Sequence, residues 1–69
     1  MNFQPMYKYE LQLASGASQD DFKKFLRDPL HRQELIRLGN KPTAHKLNPK
    51  GVAYVVEAYG IDPDKLPKP

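Results

Sequence analysis

The chain has 69 residues, enough for one domain with one small core. It has no cysteine, which excludes a disulfide framework and a thiolate zinc site. Eleven Lys+Arg against eight Asp+Glu give a formal net charge of +3, a milder excess than that of a protein that coats nucleic acid.

A domain this short buries only about 60% of its unfolded surface and gains from a partner or a second copy. Self-association or docking on a larger protein is therefore expected. No apolar run approaches the roughly 20 residues of a membrane span, and no basic-then-apolar leader opens the chain. A cytoplasmic location without a membrane partner is the expectation. Residues 1–69 are read as a single domain, with 1–5 and 67–69 as loose ends.

From Met6 to Leu13 the pattern alternates. Tyr7, Tyr9, Leu11 and Leu13 fall on one side, and Lys8, Glu10 and Gln12 on the other, which predicts a half-buried strand. Ala14 to Ala17 reads as a small-residue turn. Ser18 then caps a helix with Asp20 and Asp21 in its first turn, where the dipole favours acids. Phe22, Phe25 and Leu26 form its apolar stripe, while Lys23, Lys24 and Arg27 are placed in solvent. Pro29 interrupts this helix, because it cannot donate back along it. Asp28-Pro29 is itself a cap followed by a first-position proline, so a second short helix is predicted from Pro29 to Leu38. Gly39-Asn40 stops it.

Lys41 to Leu47 has weak helical signal. It is read as a basic connection, or as a second short strand over 43–47. Asn48-Pro49 starts the central helix and Gly60 ends it. Val52, Val55, Val56 and Tyr59 share one face, and Ala53, Tyr54 and Ala58 widen it, so this helix should be covered by the others. Asp62-Pro63 opens a last single turn, after which Leu66 folds back. The fold class is α+β and mostly helical.

The order strand–helix–helix is similar to that of ribbon–helix–helix repressors, in which two chains pair strands in the major groove. That resemblance implies a dimer whose Tyr7–Leu13 ribbon presents Lys8, Glu10 and Gln12 to the bases. Pro29 and the long basic connection depart from the pattern. The run Val55–Ile61 followed by Leu66 resembles the first helix and turn of a helix-turn-helix. Val56 stands where a small residue is usual, and Pro63, Pro67 and Pro69 leave no room for a recognition helix. Each resemblance covers roughly half the chain, and neither is taken as a family assignment.

Catalysis has little to build on. Ser15 and Ser18 have structural uses, His31 lies one turn from Asp28 and Glu34 without a nucleophile, and the glycines are scattered. So small a chain is also expected to lack a ligand-sized pocket, which takes about 300 Å3 or more. His31 and His45 with nearby carboxylates have no diagnostic metal spacing. No enzyme activity, metal or cofactor is expected.

The stronger signal is electrostatic. Between Glu34 and Glu57 there is no acid, and the window holds Arg37, Lys41, His45, Lys46 and Lys50. The amides at the start of the central helix add a positive end. The chain is therefore read as a small non-enzymatic binding protein, a nucleic-acid-binding regulator that sets these five residues against phosphates. The alternative is a protein-interaction adaptor or accessory subunit. That reading uses Tyr7, Tyr9 and Leu11 on an open N-terminal strand, which could also pair two copies as a homodimer.

Overall fold

In a computed structural model that describes residues 3–67, each of the three Asx-Pro pairs opens a helical segment. The order is β1 (Met6–Tyr7), α1 (Lys8–Ser15), α2 (Gln19–Arg27), α3 (Pro29–Arg37), β2 (Lys46–Leu47), α4 (Pro49–Tyr59) and a 3-10 turn over Pro63–Lys65. The fold is a small, mostly helical α+β arrangement: among the described residues, four helices and one two-stranded antiparallel sheet.

The caps act as their chemistry requires. Ser18 Oγ accepts from the Asp21 amide at 3.1 Å, Asp28 Oδ1 from Leu30 at 2.9 Å, Asn48 Oδ1 from Gly51 at 2.8 Å and Asp62 Oδ1 from Asp64 at 3.0 Å. Asp28 ends α2 and caps α3, so residues 19–37 form two helices. Gly60 closes α4 with φ +83°, a left-handed conformation that glycine adopts without a Cβ penalty.

The N-terminal strand read over 6–13 is not formed. Only Met6 and Tyr7 are extended, paired with Leu47 and Lys46 respectively, and the chain then turns into α1. Two local features favour the helix. Glu10 Oε1 accepts from the Tyr7 amide at 3.0 Å, half of a capping box, and Gly16 takes φ +73° at the other end. Lys, Glu, Leu, Gln and Ala are also strong helix formers. A helix advances about 100° per residue, so residues two apart do not share a face. Leu11 is accordingly fully buried, while Tyr9 and Leu13 are exposed. The second strand, read over 43–47, is the two residues of β2.

The core gathers Met6, Leu11, Phe22, Leu35, Leu47, Val52, Val55, Val56, Ile61 and Leu66. Leu11, Leu47, Val52 and Val55 are its most enclosed members. α4 supplies three of its valines and packs against α1 and β2, while α2 and α3 pack on each other. α4 is one-sided: Glu57 and Ala58 face solvent. On α3, Leu35 is buried, while Leu30 and Ile36 are exposed. Of the two ends read as loose, Phe3 packs on the core, and residues 1–2 and 68–69 lie outside the described residues.

Candidate anion-binding groove

A half-open groove of about 580 Å3 runs between α2, α3 and the segment 40–47. This exceeds the volume expected of so small a chain. Its apolar floor includes Leu26, Leu35, Ile36 and Leu47, and its cations are Lys8, Lys23, Arg27, Arg32 and Lys41, with His45 beside them. Among the described residues no carboxylate lines it.

Each wall has a local cause. Lys23, Leu26 and Arg27 are spaced one turn apart on α2, and Arg32, Leu35 and Ile36 repeat that spacing on α3. Asp28 joins the two helices without an intervening loop, so both ridges face the same space. The third wall is held at its base by a pair of asparagines. Buried Asn40 donates through Nδ2 to the Leu35 carbonyl at 3.1 Å and to Asn48 Oδ1 at 3.3 Å. The Asn48 amide donates to Asn40 Oδ1 at 2.9 Å, and Asn48 Nδ2 donates to the Leu38 carbonyl at 2.8 Å. These bonds tie the end of α3 to the start of α4, and the intervening segment is held as a wall. Lys8 braces it from α1: its amide donates to the His45 carbonyl at 2.8 Å, and its Nζ to the Pro42 carbonyl at 3.2 Å.

The cations are poorly neutralised by the protein itself. Among the described residues none of the five is in an ion pair, and Lys23 with Arg27 is a like-charged pair at i, i+4, destabilising by about 0.2–0.5 kcal/mol. Partial burial also holds the Lys8 ammonium below the usual lysine value of 10.5.

Of the residues expected to contact phosphate, Lys41 and His45 line the groove, and Arg37, Lys46 and Lys50 do not. Arg37 is turned onto Glu34: its Nε lies 3.1 Å from both carboxylate oxygens and its Nη2 also bonds Oε1. That hydrogen bond lowers the Glu34 carboxyl below its ordinary value. Lys46 alternates with the groove-lining His45 and Leu47, and its Nζ lies 5.0 Å from the centre of the Tyr7 ring. Lys50 is exposed in the first turn of α4.

Four groove cations escape a reading by contiguous sequence. Lys8 is assigned there to a ribbon, Lys23 and Arg27 to a solvated face, and Arg32 to no site. The available signal was the repeated cation-plus-apolar spacing on two helices joined by a cap.

Among the residues expected at a protein interface, Tyr7 and Tyr9 are exposed and stacked, with ring centres 5.6 Å apart. Leu11 is buried, which removes it from any surface. Tyr9 and Leu13, one turn apart on α1, join Ala14 and Pro67 in a shallow depression. His31, considered beside Asp28 and Glu34, instead stacks on Phe25 with centres 4.1 Å apart, and shares a 2.6 Å hydrogen bond between its Nδ1 and the Tyr54 hydroxyl.

No family model, curated protein or solved structure matches this chain.

Proposed function

We propose that this is a small non-enzymatic binding protein, a nucleic-acid regulator that engages phosphates through the groove. One observation carries the reading: five lysine and arginine side chains and His45, drawn from α1, α2, α3 and the 40–47 segment, line one groove that, among the described residues, no carboxylate shares. Bringing like charges together works against folding, and a polyanion offsets it. Phosphate contacts position a protein and supply affinity, without sequence choice.

The test is fluorescence anisotropy with a labelled random-sequence oligonucleotide. Binding should weaken steeply with salt, with a logarithmic slope of about −0.7 to −0.9 per neutralised phosphate. Arg27→Glu and Lys41→Glu should weaken it strongly, and Lys50→Glu, outside the groove, much less. Absence of binding at low salt overturns the reading, as does equal damage from all three variants.

The second reading, a protein-binding adaptor or accessory subunit, is favoured by the exposed Tyr7, Tyr9 and Leu13. An aromatic and aliphatic patch of this kind marks an interface, and its binding would tolerate salt. Pairing of two copies through the N-terminal strand is disfavoured, because a two-residue β1 leaves few free backbone groups to pair.

A further inference from the structure

We infer that the groove is shaped for a single strand and not for a duplex. One unstacked base lies on the apolar surface that Leu26 and Ile36 leave open, with its flanking phosphates on the surrounding cations. This deepens the reading above and rests on it.

Three features point the same way. First, the floor leaves apolar surface open at Ile36, which is 47% exposed, and at half-buried Leu26, with Leu35 and Leu47 in the core beneath. A duplex keeps its base faces stacked inside, so it would meet the rim with phosphates and leave this floor bare. A single strand can turn one base out and cover it, which removes apolar surface from water on both partners. Second, the volume of about 580 Å3 is that of a site for one small organic unit, within the roughly 300–1,000 Å3 of ligand pockets. Third, the cations stand on three sides of the floor: Lys23 and Arg27 on α2, Arg32 on α3, Lys41 on the connecting segment. That arrangement surrounds a unit carrying phosphates before and after it. An acidic peptide with an aliphatic anchor is the competing occupant of the same chemistry.

The experiment compares three labelled probes at low salt: a thymidine-rich single strand, a duplex of the same length, and a glutamate-rich peptide containing leucine. Each is titrated with the wild-type protein and with Ile36→Ser and Ile36→Met. Ile36 is exposed enough for both variants to fold, which circular dichroism checks. The single strand should bind more tightly than the duplex. Ile36→Ser should weaken it by about tenfold, from lost apolar contact. Duplex binding should stay unchanged, and Ile36→Met should retain wild-type affinity.

Equal affinity for strand and duplex, or equal loss of both in Ile36→Ser, overturns this inference and leaves the phosphate-binding groove standing. If neither oligonucleotide binds, the proposed function falls with it. Binding of the acidic peptide alone would then assign the groove to a protein partner.

Discussion

Gly51 offers the sharpest test of how the groove is held. A Cβ built on it would lie 2.6 Å from Asn40 Nδ2, 3.1 Å from Cγ and 3.2 Å from Oδ1. In an open helix, Gly→Ala would stabilise by up to about 1 kcal/mol. Here the nearest atom is the end of a side chain that cannot swing away freely, because Asn40 is buried and bonded to Leu35 and Asn48. Displacing it strands polar groups, at about 1–3 kcal/mol. Keeping it in place instead overpacks the site, at a similar 1–3 kcal/mol or so. Set against the full helix gain, Gly51→Ala should therefore lose up to about 2 kcal/mol net, a fall in Tm of up to about 16 °C for a domain of this size. Calorimetry or thermal circular dichroism reads it. The double-mutant cycle makes the reasoning refutable: in an Asn40→Ala background the three nearest atoms to the added methyl are gone, and it should be neutral or stabilising. A higher Tm for Gly51→Ala alone, or the same loss in both backgrounds, would show that Asn40 is not the obstacle.

Leu11 and Leu13 separate the helix from the alternating strand. Leu11→Ala should cost about 2–5 kcal/mol, and Leu13→Ala less than about 0.5 kcal/mol; similar losses in urea denaturation would restore the strand. The folded-state pKa of Lys8 lies below its unfolded value of 10.5. The unfolded chain therefore binds more protons between the two values, and stability should rise with pH across that window. Lys8→Met should remove that rise, as read from the difference in urea midpoints between variant and wild type. Tyr54 has the opposite sign. Its phenol is pushed above 10.0, first by burial, then by the charges of Glu34 and Asp28. Its contribution to stability is fully present below 10.0 and lost as pH rises through the folded value. NMR of the Tyr54 ring should show a titration midpoint above 10.0, lowered towards it in Asp28→Asn with Glu34→Gln.

What the sequence made legible was punctuation. Ser18, Asp28-Pro29, Asn48-Pro49, Gly60 and Asp62-Pro63 act locally, through one side chain and the next few amides, so their effect can be read without the rest of the molecule. The error at 6–13 has an equally local cause. Tyr-Lys-Tyr-Glu-Leu-Gln-Leu alternates, but Glu10 stands three residues after Tyr7 and Gly16 follows the last turn, and those end signals outweigh the alternation. A helix capped at these ends separates Leu11, which is buried, from Tyr9 and Leu13, which are exposed.

The groove was only half legible, because charge along a chain is not charge in space. The acid-free window from Glu34 to Glu57 holds five basic residues, yet the fold brings only Lys41 and His45 to the groove. Arg37 is taken by Glu34 at i, i−3, and Lys46 is turned away by the alternation of β2. The replacements, Lys8, Lys23, Arg27 and Arg32, arrive through packing of α1, α2 and α3, which no window of neighbouring residues contains. One element links the legible part to the hidden part. Asn48 was readable as a cap, but its side chain also bonds Asn40 and Leu38 and so fixes the base of the wall that carries Lys41 and His45. The cap that starts the central helix and the latch that shapes the groove are the same side chain. Stability and anion binding should therefore fall together when this latch is disturbed. Charge changes on the rim, at Lys23 or Arg27, should alter binding with little effect on folding.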